Sequence, residues 1–298
     1  MSFFKLDVAF IVTVIFVSMR WYFSFARFSF EATFLLMLEL IALYAMLVFR
    51  KTQAIVPLII AAIGAGLAYN SYTPGRIFVL LMLSIILLSS KRKLLHFTVF
   101  GVVYAALIAP LSLYFVQHND IRIQQQLYLQ NTELTLTEKA QFFAENVWKN
   151  IRMLFGQGDV NGRHNYPYKS ALNPVLNLFL ALGIMSMLKS RKIFYHALFS
   201  MYLLLGLLPT LLTYPHENPN MLRTYTMLPA LAYFMGLGIL WIYGQVKKDE
   251  KKSRLVTWFV LFMLLISVVY EVRSYFVFQK LVYIQAFDLM NVFENLPK

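Results

Sequence analysis

The sequence predicts an all-α protein, a polytopic bundle of about nine transmembrane helices with a long outer loop that contains an interfacial helix. Two observations predict it. Hydrophobic residues fill 59% of 298 positions and charged residues only 14%, against the roughly half and quarter of soluble domains. Nine apolar runs, most of them near the ~20 residues that cross a hydrocarbon core as helix, follow one another along the chain. The absence of cysteine from the sequence excludes a disulfide, a thiolate metal site and a cysteine nucleophile. A net charge of +13 would point to nucleic acid in a soluble protein. In a membrane protein the basic residues first sort by the side of the bilayer they face, and that sorting accounts for most of the surplus, so no nucleic-acid partner is expected.

The runs fall at roughly 6–25, 30–49, 54–72, 76–90, 95–116, 173–188, 193–213, 224–244 and 255–275; the fourth and sixth are short for a span. They divide the chain into helices over 1–116, an outer loop over 117–172, further helices over 173–275, and the start of an outer carboxyl-terminal segment over 276–298. Alternate turns carry Lys5; Arg50 and Lys51; Lys91, Arg92 and Lys93; Lys189, Arg191 and Lys192; and Lys247, Lys248, Lys251, Lys252 and Arg254. The positive-inside rule makes these turns cytoplasmic, with the amino terminus inside and the carboxyl terminus outside a cell inner membrane. Lys5, the run after it and "SFA" at 24–26 loosely resemble a cleavable signal peptide, but Arg20, Trp21 and Tyr22 read as an interfacial anchor.

The long outer loop has structure of its own. Thr135 with Glu138 fits a capping box and Gly156 a stop, so 136–155 reads as a helix. Phe143, Val147, Ile151, Leu154 and Phe155 form one apolar stripe opposite Glu145, Lys149 and Arg152. Such a helix either lies flat on the outer leaflet or packs on the membrane domain. It leads into "GQGDVNGRHNYPYK", an irregular loop by its glycines, asparagines and proline, placed near lipid head groups.

Four separate outer turns each bring an arginine that topology does not require: Arg27, Arg76, Arg163 and Arg223. Arg27 and Glu31 are four apart and can simply pair with each other; Arg76 follows the tight turn at Pro74 and Gly75; His216 and Glu217 precede Arg223. The planar guanidinium fork suits phosphate oxygens, and a ring of arginines above a lipid-accessible groove would hold a phosphate or pyrophosphate lipid. Tyr69, Tyr72, Tyr166 and Tyr168 either stack on a sugar or belong to the aromatic belt. Glu39, midway along the second run, should face the bundle, protonated and hydrogen bonded.

Taken in order, "ARFSFEA", "GAGLAYNSYTPGRIFVLL", "GDVNGRHNYPYKSALNPVLNLFLALGI" and "LLPTLLTYPHENPNMLRTYTMLPALAYFMGLGI" resemble the membrane glycosyltransferases of the GT-C superfamily. The similarity is to bacterial relatives of protein O-mannosyltransferases and of the aminoarabinose transferases of lipid A, glycosyltransferase family 39-like, over roughly 20–295. It implies transfer of a sugar from a polyprenyl-phosphate donor to a glycan, lipid or protein acceptor on the extracytoplasmic face. It also implies phosphate or sugar contacts from Arg27, Arg76, Arg163, His164 and Arg223, with Tyr72, Asn165 and His216 as further substrate-binding candidates. No cofactor is implied; a divalent metal occurs in some relatives, but no clustered carboxylates argue for one here.

The pattern departs from that family in one respect. A catalytic aspartate belongs in a first outer loop, and no such loop precedes "ARFSFEA"; the only earlier acid, Asp7, lies at the cytoplasmic end. The expectation is a chain cut from a longer enzyme; a complete one would need Asp159, His164 or Glu31 for acid–base work. An O-antigen ligase or polymerase, and a lipid flippase or transporter, are the rival classes.

Overall fold

The computed structural model describes residues 6–28, 30–118, 125–189, 193–246 and 249–284. Among these the chain is helical throughout, with β-type pairing only at the isolated bridges Leu127 to Thr213 and Gln157 to Lys169. The helices are α1 (Leu6–Ser18), α2 (Arg20–Arg27), α3 (Glu31–Thr52), α4 (Ile55–Ser71), α5 (Val79–Ser89), α6 (Lys93–Gln117), α7 (Leu136–Phe155), α8 (Pro174–Lys189), α9 (Ile193–Leu211), α10 (Leu228–Val246) and α11 (Glu250–Arg273). A π-helical turn, Ser274–Gln279, extends α11, and Lys280–Val282 completes it.

Among the described residues, five helices are long and apolar enough to cross a membrane: Glu31–Thr52, Lys93–Gln117, Ile193–Leu211, Tyr225–Val246 and Glu250–Val282. The first predicted run is instead a broken pair, bent by 62° between Ala9–Ser18 and Arg20–Arg27. Ile55–Ser71, Thr73–Ser89 and Pro174–Lys189 are apolar but shorter. The protein is therefore an all-helical membrane protein.

The helix ends follow from local chemistry. Gln53 closes α3 in the left-handed region at φ 57°. The Asn173 side chain accepts from the amides of Val175 and Leu176 and starts α8. Thr135 and Glu138 form the expected reciprocal capping box on α7. The centre is held by α3 against α4, α4 against α6, and α8 against α10. The last pair crosses on two glycines: a Cβ on Gly183 would fall 1.8 Å from the Phe234 carbonyl, and one on Gly238 would fall 2.1 Å from that of Phe179. Only hydrogen at these positions lets the backbones meet.

The bundle has two ends of different chemistry. At one, the Arg50 guanidinium lies 3.6 Å from the Phe194 ring centroid, and Gln53 bonds the Ser89 carbonyl and the Lys91 amide. The other gathers the loop after α7, the 213–227 turn and the 72–77 turn. Arg20 sits beneath this second end, at the break between α1 and α2, where its expected role as an interfacial anchor is corrected. It is 1% exposed, and its Nε lies 3.4 Å from Glu271 of α11. Asn173 and the Arg20 amide also bond Glu271, and Arg20 Nη2 donates to the Ser170 carbonyl. A charge this deep needs such partners because leaving it unpaired costs several kcal/mol. Glu39 is buried and accepts from the Tyr202 hydroxyl at 2.7 Å, as its position in α3 led one to expect.

Of the two arrangements open to α7, the structure turns its apolar stripe away from the protein. Its buried face is Asn146, Asn150 and Met153, and the apolar stripe of Phe143, Ile151 and Phe155, joined by Trp148, is exposed. Asn146 donates to the carbonyls of Leu211 and Thr213, and Lys149 to that of Pro215, so the helix grips backbone at the end of α9. Farther along, Met153 and Leu154 accept from Ala171 and Asn177 at the start of α8. Helix α7 thus meets the end of α9 and the start of α8.

Candidate functional site

The loop after α7 closes on itself through one carboxylate. Gly158 is fixed by its surroundings: its amide donates to the Tyr168 carbonyl, and a Cβ there would sit 2.0 Å from the Lys169 carbonyl. The next residue, Asp159, is 3% exposed. Its Oδ1 accepts from the Asn161 amide at 2.8 Å, while Oδ2 accepts from His164 Nδ1 at 2.9 Å and from the Met221 amide at 2.9 Å. Asn165 donates to the Asp159 and Lys169 carbonyls. His164 is buried against Phe25 and Phe30, with ring centroids 5.5 and 6.2 Å away. Asp159 thus ties its own loop to the 213–227 turn, across 62 residues of sequence.

That turn carries Arg223. Asn220 Oδ1 accepts from the Leu222 and Arg223 amides, and Arg223 pairs with Glu217. Arg223 Nη1 is buried without a hydrogen bond among the described residues. Across from it, the one-turn helix Thr73–Ile77 presents Arg76, whose guanidinium lies 4.7 Å from the Phe115 ring centroid and 5.7 Å from that of Tyr69. Gly75 allows this turn to press on α4, since a Cβ would lie 2.3 Å from the Ala68 carbonyl. Arg76 and Arg223 border one cleft of about 250 Å³. Tyr72, Thr73, Gln126 and Thr213 give it polar edges, and Ile77, Leu127, Leu208, Pro209 and Leu212 an apolar wall. Two guanidinium groups over an apolar wall suit an amphiphile with an anionic head.

The other predicted residues fall elsewhere. Arg27 bonds the Tyr275 hydroxyl at 3.5 Å and lies on the rings of Tyr275 and Phe276. Arg163 is exposed, with its guanidinium 5.6 Å from the Phe30 ring centroid, while its neighbour His164 points inward. His216 is exposed and stacks on Tyr214. Of the three acid–base candidates only Glu31 is exposed. The expected single ring of four arginines is therefore corrected to one pair sharing a cleft, with Arg27 and Arg163 seated on other aromatic groups. Among the described residues, no three His, Asp or Glu side chains gather as a metal set would.

Lys169 lies beside the Arg20–Glu271 pair, donating to the Ser274 hydroxyl at 2.6 Å. Burial lowers its pKa, the Arg20 charge lowers it further, and Glu271 partly offsets both. Sequence reasoning missed Gln126 and Leu127, brought to the cleft by the Leu127–Thr213 bridge, and missed Glu271. Glu271 was legible in principle: it and Arg20 are opposite charges within apolar segments. Nothing in the sequence marks Gln126. Compared with known proteins, the chain matches no family model, no curated protein and no solved structure.

Proposed function

We propose that the protein is a membrane glycosyltransferase of the GT-C type, and that the cleft between Arg76 and Arg223 holds the phosphate of a polyprenyl-phosphate sugar. The observation that carries this reading is the pairing of two arginines, 147 positions apart, above one apolar wall. The prenyl chain would follow Leu208, Pro209 and Leu212 along α9, and the phosphate would sit between the guanidinium groups. Glu217 neutralises part of the Arg223 charge, leaving Nη1 for the ligand. Leaving-group stabilisation by such fixed charges is the main service an enzyme offers a departing phosphate.

In this reading the cleft end is extracytoplasmic and the Arg50, Lys51 and Lys91 end cytoplasmic, with nine membrane passages that count the bent α1–α2 pair and the three shorter apolar helices. Helix α7 rests on the outer leaflet: it buries asparagines against the protein and turns Phe143, Trp148 and Ile151 outward, with Glu145, Lys149 and Arg152 on a separate face. Asp159, with both oxygens engaged, positions the loops, and of the three acid–base candidates Glu31 alone is exposed and would be the one to meet an acceptor hydroxyl. Arg27 and His216 would serve the sugar or the acceptor rather than the phosphate, while Asn165, buried with its amide on the Asp159 and Lys169 carbonyls, shapes the loop. Glycan, lipid or protein acceptors fit equally.

The test is binding of a polyprenyl monophosphate to the purified protein in lipid nanodiscs. Arg76→Ala and Arg223→Ala should each weaken it about tenfold or more, the scale of one hydrogen bond to a charged group. Transfer of a labelled sugar from the same lipid should fall in parallel. Unchanged affinity in both variants removes the cleft from the reaction.

A further inference from the structure

A second, larger hollow lies away from the arginine cleft, between α1–α2 and α3. The 62° break at Met19 creates it: α1 packs on α10 and α11, while α2 leans back to meet α3, leaving a wedge. The trough encloses about 690 Å³, inside the roughly 300–1,000 Å³ range of small-molecule sites. Its floor is Leu36, 2% exposed, and its walls include Phe16, Tyr22, Phe34, Met37 and Tyr44. The groove runs along α3 from Thr33 to Tyr44, about 16 Å at ~1.5 Å per residue. That is half of a roughly 30 Å hydrocarbon core, so the trough is one leaflet deep. It occupies the Glu31 half of a helix able to cross the membrane. At its mouth stands Phe30, with the Arg163 guanidinium 5.6 Å from its ring centroid. Arg163 is exposed there, and exposed Glu31 follows Phe30 in the chain, whereas the Arg27 guanidinium is turned to Tyr275 and Phe276.

We infer that this trough is a site for one membrane phospholipid, its acyl chain lying along α3 and its phosphate at Arg163. Depth selects the occupant: an acyl chain ends where the trough ends, whereas a long polyprenyl chain or a full transmembrane helix would overrun it. Charge selects the head, because a cation at the water–lipid boundary favours a phosphodiester. A lipid held there braces the break at Met19 and, through the loop tied by Asp159, the turn that carries Arg223. The inference stands on the trough alone and survives failure of the glycosyltransferase reading.

Native mass spectrometry of the full chain, extracted from vesicles of phosphatidylethanolamine and phosphatidylglycerol, should show one phospholipid retained. Met37→Trp, which fills the trough from an exposed wall, should abolish retention. Arg163→Ala should weaken it about tenfold, and Leu80→Trp, on exposed α5 surface, should leave it intact. In nanodiscs, a benzophenone on Ile41→Cys, the sole thiol in a chain without cysteine, should crosslink to lipid. Equal lipid loss from all three variants, or crosslinking to a second copy or another polypeptide, overturns the proposal. Arg76→Ala in the same assay should change nothing, which separates failure here from failure of the cleft.

Discussion

Replacing Asp159 with asparagine tests whether one carboxylate couples the loop after α7 to the turn bearing Arg223. The aspartate serves three donors, the amides of Asn161 and Met221 and the ring Nδ1 of His164, at 2.8, 2.9 and 2.9 Å. An asparagine side chain has one acceptor oxygen and one NH2, so whichever way it turns, at least one buried N–H faces another donor. An unmet buried donor costs about 1–3 kcal/mol, and the surviving bonds lose their charge assistance. The expected loss is about 3 kcal/mol of stability, measured as denaturant or thermal unfolding in detergent micelles. Local loosening should accompany it: amide exchange at 218–225 should accelerate, since Met221 lies two residues before Arg223. Weakened polyprenyl-phosphate binding should follow although Asp159 touches no ligand. A stability loss under about 1 kcal/mol together with unchanged exchange at 218–225 would refute the coupling.

Two further outcomes are expected. Glu271→Ala strands a buried arginine and should cost about 3–5 kcal/mol, whereas Arg20→Met with Glu271→Leu should recover most of that loss; unfolding of the single and double variants checks this, and equal losses would show the pair acts through shape alone. For α7, Glu138 accepts from the Thr135 amide and hydroxyl at 2.8 Å each, which holds its carboxyl below the usual range. A lowered pKa means that the cap stabilises above the unfolded value near 4.5 and is lost as pH falls through the folded value. Hydrogen exchange in the first turn of α7, corrected for its intrinsic pH dependence, should therefore speed up below that point, and Thr135→Ala should flatten the response.

Much of the architecture was legible because its signals are local. The apolar runs, the capping box at Thr135 and the stop at Gly156 depend on neighbours within a few residues, and the structure carries helices at each of them. The break at Met19 was not legible: the run over 6–25 carries no proline or glycine, and only the buried pairing of Arg20 with Glu271, 251 residues away, makes a bend there worthwhile. Which face of α7 meets the protein was not legible for a related reason. A helical wheel ranks faces by hydrophobicity, but the asparagines won the protein-facing side because the carbonyls of Leu211 and Thr213 needed donors.

The sequence alone determined that this is a helical membrane protein, where most of its helices lie, and that four of its turns each carry an arginine that topology does not require. Those properties follow from transfer energies and short-range hydrogen bonds, which composition and order encode directly. Only the tertiary structure decided which arginines meet. Arg76 and Arg223 converge on one cleft, while Arg27 and Arg163 lie over other rings. The partner of each charge is chosen by the packing of helices distant in sequence, and no local pattern records it.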